Sequence, residues 1–283
     1  MPDLQCAARR LCAGDDVTTG RLKNQVAVIS GAGSRTSGIG NGRAVAVAMA
    51  REGASVAVLD VDEGAARATN EMIASEGGRS VVIQCDVRRE EACGHALDEV
   101  RETLGVPGIL VNNVGIPGPA GTALDVDIEE WTRALHTNVT AMVLMARACL
   151  PQMIAAGRGC VINMASITGV MGGFPHLCYP TTKGAIISMT RSMAAHHARD
   201  GIRVNCIAPG LVYTPYVAGA GMSAEMRAQR SLSTPLGTEG TAWDVAGAAV
   251  FLASDEARWI TGVVLPVDAG DSAIRGGVPY VLQ

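Results

Sequence analysis

From residue 25 onward the chain alternates short β-branched and aliphatic runs with longer stretches whose apolar positions recur at helical spacing. QVAVIS, SVAVLD and SVVIQCD read as strands; GRAVAVAMAREG and EGAARATNEMIASEG between them read as helices. The rhythm continues with a helix over about 89–104, a strand at 108–113, a long helix near 128–156, a strand at 160–166 and a helix over about 180–199. It closes with the strand IRVNCIAP, a loop-rich stretch at 211–240, a helix near 242–253 and the strand GVVLPVD. The strands are continuous Val/Ile/Leu runs, the pattern of strands covered on both faces. Right-handed crossovers then place helices on each side, which predicts a doubly wound α/β fold of about seven parallel strands.

No Pro/Ser linker, charge block or repeat divides this pattern, so a single Rossmann-like domain over 22–270 is expected, after a polar leader at 1–21 and before a tail at 271–283. The aperiodic 211–240 segment reads as a substrate-binding loop. With 48% hydrophobic and 18% charged side chains the composition is not that of a disordered chain. A net charge of −4 offers no basic surface for nucleic acid. The cysteines at 6, 12, 85, 93, 149, 160, 178 and 206 form no C-x-x-C pair, so they read as small buried hydrophobes in a reducing compartment, the cytoplasm, rather than as disulfides or metal ligands. The N-terminus lacks a signal-like apolar region, and no long uninterrupted apolar run suggests a membrane span.

The first strand runs into a glycine-rich turn, Ser30-Gly31-Ala32-Gly33, continuing through Gly38-Ile39-Gly40-Asn41-Gly42 into a helix. Glycines let backbone amides approach a pyrophosphate, and a helix N-terminus adds partial positive charge. Asp60 ends the second strand, where a carboxylate accepts both hydrogen bonds of an adenosine ribose diol and repels a 2′-phosphate. That favours NAD over NADP, with Arg35 and Arg43 as the nearby cations that could argue otherwise.

Lysine occurs at only two positions, Lys23 and Lys183. In a chain that otherwise uses arginine, an ammonium at 183 suggests that a compact point charge matters there. Tyr179 lies one helical turn before it. A phenol must shift by about 2–3 pKa units to exchange protons near neutrality, and a fixed cation can supply much of that shift. Ser166 closes the 160–166 strand at the sheet edge where doubly wound folds bind ligands, so its hydroxyl and that of Tyr179 could converge on one carbonyl. His176 could line the same pocket or cap its loop; Cys178 has no basic partner that would make it a nucleophile.

Over about residues 22–270 the chain resembles the short-chain dehydrogenase/reductase family, in the glycine turn, Asn112-Asn113-Val114-Gly115, Asn138, Ser166, Tyr179-x-x-x-Lys183 and Pro209-Gly210-Leu-Val-Tyr-Thr214. The resemblance implies that Tyr179 is the general acid/base, Ser166 orients the substrate oxygen, Lys183 lowers the tyrosine pKa and holds the nicotinamide ribose, and Asn138 positions a water in a proton relay. It also implies cofactor contacts at Asp86 (adenine), at Val87, Asn112, Gly115, Pro209 and Gly210, and at Thr214 with Val212 (carboxamide). Against the family's usual spacing the glycine turn is five residues longer if Gly31 is matched with Gly40 and Gly42; the alternative match is Gly38-Ile39-Gly40. A mostly apolar pocket is expected from Ile116, Pro117, Ile167, Phe174, Leu211, Tyr213, Tyr216 and Met222. It suits an uncharged secondary alcohol, ketone or alicyclic diol, although Arg227 and Arg230 could reach an acidic substituent. A 3-oxoacyl-thioester reductase using NADPH and a non-catalytic dinucleotide sensor are the alternatives; the family also implies a homotetramer.

Overall fold

The computed structural model describes residues 20–34, 38–219 and 221–274. Most of the expected leader and tail, Cys6, Cys12 and Arg35 lie outside the described residues. In chain order the elements are β1 (Val26–Ser30), α1 (Asn41–Arg51), β2 (Ser55–Asp60), α2 (Glu63–Ser75), β3 (Ser80–Gln84), α3 (Glu90–Thr103) and β4 (Ile109–Asn112). There follow α4 (Ile128–Leu135), a π turn (His136–Thr140), α5 (Ala141–Ala155), β5 (Gly159–Met164), α6 (Cys178–His197) and β6 (Ile202–Pro209). The chain ends with β7 (Val212–Tyr213), α7 (Pro215–Ala218), α8 (Ala224–Ser233), β8 (Gly240–Thr241), α9 (Ala242–Ala253) and β9 (Val264–Val267).

Seven parallel strands form one sheet in the order β3-β2-β1-β4-β5-β6-β9, with helices around it: the doubly wound, single-domain architecture expected from the periodicity. Alternate residues of each strand enter opposite layers. Ala27 and Ile29 of β1 pack with α1 and α9, while Val26 and Val28 pack with α3 and α5. The same split recurs at Ile109 and Val111 against Leu110, and at Ile162 against Val161. Both faces are therefore core, which is why these strands carry no polar alternation.

Register explains where the site lies. Ile83, Leu59, Ser30, Asn112, Asn163, Cys206 and Val264 pair successively across the sheet in one row. Residues just beyond that row, Gly31, Asp60, Asn113, Ser166 and Gly210 among them, emerge together at the C-terminal edge. Strand order reverses between β1 and β4, opening the crevice where such folds bind ligands.

Two elements differ from the sequence reading. The long helix expected near 128–156 is broken by the π turn at His136–Thr140, which widens the helix and turns Asn138 inward. By length and composition Ile128–Ala155 could cross a membrane; here Met142, Met145, Cys149, Leu150 and Met153 are buried in the core. The 211–240 segment is not all loop. It contains α8, capped by the Ser223 hydroxyl accepting from the Met226 amide, and this helix has no buried residue. With no apolar face against the core, α8 leaves no stripe for periodicity to detect.

Candidate active site

A cleft of about 670 Å³ runs along the C-terminal sheet edge, from Asp60 and Asp86 at one end to Phe174, Tyr216 and Arg230 at the other. Its floor is the glycine turn. Gly31 adopts φ +67°, and a Cβ on Gly42 would lie 2.0 Å from the Gly31 carbonyl oxygen, so α1 begins directly on the end of β1. Gly40 is the N-cap of α1 without a side-chain cap, which leaves first-turn amides facing the cleft. Gly31, Gly40 and Gly42 thus form a cradle that admits only glycine at its tightest point and fits a phosphate group. Gly38 and Ile39, also expected at the cofactor, do not line the cleft. Gly38 backs onto Pro215, and Ile39 packs against the core beside α1.

Asp60 accepts from the Gly33 amide at 2.9 Å and from the Asp62 amide at 3.1 Å, which fixes its carboxylate at the cleft wall. Arg43 does not reach the cleft. Its buried guanidinium is engaged by the Gly38 carbonyl (2.7 Å), the Thr69 hydroxyl (3.0 Å) and the Ala65 carbonyl (3.2 Å), and burial lowers its pKa against the pull of Asp60. Asp86 and Val87 line the same end. The Asp86 carboxylate is gripped by Arg88 at 2.7 and 2.8 Å, which holds it below the usual carboxylate range.

Asn112 stands inside the sheet, its amide donating to Asn163 at 2.9 Å, and does not line the cleft. The neighbouring Asn113, which the sequence reading passed over, lines it and donates to the Gly31 carbonyl at 2.9 Å. Strand alternation held the signal: consecutive asparagines at the end of β4 must face opposite ways. Gly115 is on the wall, where a Cβ would lie 3.5 Å from the Lys183 Nζ. Asn138 is buried just behind that wall. Its Oδ1 accepts from the Ile116 amide at 2.8 Å, while its Nδ2 donates to the Ile116 carbonyl (2.8 Å) and the Thr182 hydroxyl (3.0 Å).

Ser166, Tyr179 and Lys183 all line the cleft. Ser166 caps a short 3-10 turn by accepting from the Thr168 amide at 3.2 Å, and its hydroxyl favours ionisation of the Tyr179 phenol. Lys183 is buried, donates to the Met164 carbonyl at 2.9 Å, and sits 5.5 Å from the Tyr179 ring centroid. Burial lowers the Lys183 pKa to about 8, with Cys206 opposing. Burial raises the Tyr179 pKa to about 12; Tyr216 pushes the same way and Ser166 pulls down. Desolvation is the largest influence on the phenol's acidity, and the Lys183 ammonium, with three donors, gives one of them to the Met164 carbonyl.

Ile116, Ile167, Leu211, Tyr216, Pro209, Gly210, Val212 and Thr214 are on the wall as expected. His176 is not: it is exposed, accepts from the Gly121 amide at 3.4 Å, and meets Phe174 edge-on. Tyr213 is outside too, covered by Arg227 at 3.6 Å from its ring. Met222 also lies off the wall. Phe174 lines the cleft 5.7 Å from the Tyr179 ring.

Comparison with known proteins agrees with this geometry. Residues 33–272 match a family model described as enoyl-(acyl carrier protein) reductase. The 2-(S)-hydroxypropyl-CoM dehydrogenase 3 of Xanthobacter autotrophicus is 37% identical over 258 residues, 90% of this chain and 99% of that protein. The meso-2,3-butanediol dehydrogenase of Serratia marcescens is 35% identical over 257 residues, covering 90% and 98%. A 7 alpha-hydroxysteroid dehydrogenase structure complexed with NADH and 7-oxo glycochenodeoxycholic acid superimposes with a TM-score of 0.82 at 31% identity, over 88% of this chain and 95% of that one. With the cleft, the parallel sheet and these relatives in agreement, the chain belongs to the short-chain dehydrogenase/reductase family, oxidoreductases that act on CH–OH groups with a nicotinamide dinucleotide.

Proposed function

We propose that the protein interconverts a secondary alcohol or alicyclic diol and the corresponding ketone with NAD. The carrying observation is the grouping of Ser166, Tyr179 and Lys183 on one wall of the cleft. When bound, the nicotinamide accepts or supplies the hydride. Tyr179 takes the proton from, or gives it to, the substrate oxygen, and Ser166 orients that oxygen. Lys183 holds the nicotinamide ribose, and Asn138 positions a relay water. Asp60 supports NAD over NADP, since a fixed carboxylate repels a 2′-phosphate and Arg43 is engaged elsewhere. Ile116, Ile167, Leu211, Phe174 and Tyr216 make the surroundings of the reacting carbon apolar. The named relatives, dehydrogenases of hydroxyl-bearing compounds, agree with such a substrate. The six described cysteines are free and buried, consistent with a cytoplasmic protein. Exposed Leu124, Ile128 and Trp259 are side chains that a homotetramer could cover.

Tyr179→Phe tests the assignment. Turnover of a panel of ketones and secondary alcohols should fall by about 10²–10⁴-fold, the span of general acid–base catalysis, while NADH binding, read by fluorescence, persists. Equal rates in variant and parent would sink the acid/base role. NADPH preference in the same kinetics would favour a 3-oxoacyl-thioester reductase, which the acyl-carrier-protein description of the family model keeps in view. Saturable NADH binding with no turnover of any substrate would favour a sensor.

A further inference from the structure

We propose that the substrate carries an anionic group at the end remote from its reacting carbon, and that Arg230 on α8 reads it; this rests on the oxidoreductase reading above. Arg227 and Arg230 converge on one carboxylate, Glu239: Arg227 Nε bonds Oε2 at 2.9 Å and Arg230 Nε bonds Oε1 at 2.7 Å. The Glu239 side chain is 5% exposed and the Arg230 side chain 22%. Two guanidiniums against one carboxylate leave a net positive charge in this corner. Among the described residues the other acids around this corner are held by neighbours of their own: Asp244 by the Thr241 amide and hydroxyl, both at 2.7 Å, Asp268 by the Gly270 and Ser272 amides at 3.0 and 2.8 Å, and Glu225 by the first turn of α8.

Only one of the two arginines lines the cleft. Arg227 lies over the Tyr213 ring, outside the wall, whereas Arg230 is on it. Among the described residues the Arg230 Nη groups bond to nothing, its contact with Glu239 using Nε alone. The guanidinium is thus held rigid through one nitrogen, with its two terminal donors uncommitted, the fork that suits a carboxylate or another planar oxyanion. The corner also sits at the correct end. Gly240, next to Glu239, donates to the Leu211 carbonyl at 3.1 Å and pairs with Val212, placing the arginines beside Leu211–Thr214 and away from Asp60 and Asp86. The other cleft-lining cations have other tasks: Arg88 pairs with Asp86, Arg133 with Glu130, and Lys183, which donates to the Met164 carbonyl, is the one assigned to the nicotinamide ribose.

An uncharged substrate, which the apolar motifs alone suggest, would leave those donors facing an apolar body. The cleft that Lys183 and Arg230 share is also lined by Phe174, Tyr216 and Val217, so the substrate class it fits is an apolar hydroxy acid or keto acid whose acid group is separated from the carbinol.

The test uses methyl ketones bearing a terminal carboxylate on alkyl chains of graded length, each beside its methyl ester, with NADH. The parent enzyme should prefer the acid at one chain length, by about 10- to 100-fold in kcat/KM, the worth of a charge-assisted hydrogen bond. Arg230→Gln should erase that preference, chiefly through KM, and titration calorimetry of the acid onto the NADH complex should show the same loss. Arg227→Gln removes an equivalent bond to Glu239 but no wall group, so it should keep the preference. An ester turned over as well as its acid by the parent, or an equal loss of preference in both variants, overturns the assignment and leaves the oxidoreductase reading standing. Absence of turnover with every ketone and alcohol tried strikes the oxidoreductase reading itself, and this assignment with it.

Discussion

The two ends of the cleft are built on different principles. At the Asp60 end the glycine turn and the Asp60 carboxylate are fixed by the sheet and by backbone bonds, and Gly42 meets the Gly31 carbonyl with no room for a methyl group. At the Tyr216 end the wall is carried by α7 and α8, elements without a buried residue, held by an ion pair, a stacked ring and a two-residue strand pair. The first end suits a ligand of invariant shape. The second can change sequence without disturbing the core, and so is where substrate choice resides. Fold and cofactor are thereby separable from specificity, and perturbations at the two ends should differ in kind as well as in size.

The largest effect should come from Gly42→Val. Its first added carbon alone falls 2.0 Å from a backbone oxygen and 2.5 Å from the Asn113 amide, so α1 has to move off β1. Overpacking of this kind costs about 3 kcal/mol or more, which for a domain of this size lowers the melting temperature by roughly 6–12 °C, and NADH binding should be lost. Gly172→Ala, near the other end, places its Cβ where nothing lies within 4 Å, and should leave the melting temperature within about 2 °C of the parent. Equal melts for the two variants would erase the distinction between a rigid and a permissive end.

Next in size is Asp60→Ala. Removal of the carboxylate deletes two acceptors for a ribose diol and the charge that repels a 2′-phosphate, so the NAD-to-NADP ratio of kcat/KM should fall by about 10- to 100-fold. The same variant also frees the Gly33 amide, which now bonds Oδ2, so part of the loss with NAD comes from slackening of the turn. Its signature is a change in the ratio and not in the rate alone; an unchanged ratio would mean that Asp60 only braces the turn.

How far the sequence could be read follows the same division. Strand runs such as VAVIS and ILVN were legible because burial on both faces forces uninterrupted apolar residues, and the site could be placed because strand ends in a parallel sheet share one edge. Ser166, Tyr179 and Lys183 stand out by residue type and spacing. Three things were not legible. Which glycines form the cradle depends on Gly38 being turned against Pro215 and away from the cleft, a long-range contact with no local signature. The acidity of Tyr179 depends first on desolvation by the whole fold, which residue type and spacing do not reveal. The helix α8 was hidden because a helix that buries nothing has no apolar stripe.

The smallest effect should be that of Leu232→Ser on α8. Its side chain is 80% exposed, so removing it from the isolated fold alters no core contact. Substitutions at such positions stay within about 0.5 kcal/mol, a change of roughly 1–2 °C in melting temperature for a domain of this size. The informative comparison is with protein concentration. If Leu232 is solvent-facing in the working assembly, parent and variant melt together at every concentration. A drop that grows on dilution would mean that a second copy covers α8, because only association makes stability depend on concentration. In that event α8 would not be the permissive element described above: its outer face would be fixed by the assembly, and substitutions there would act on specificity and association together.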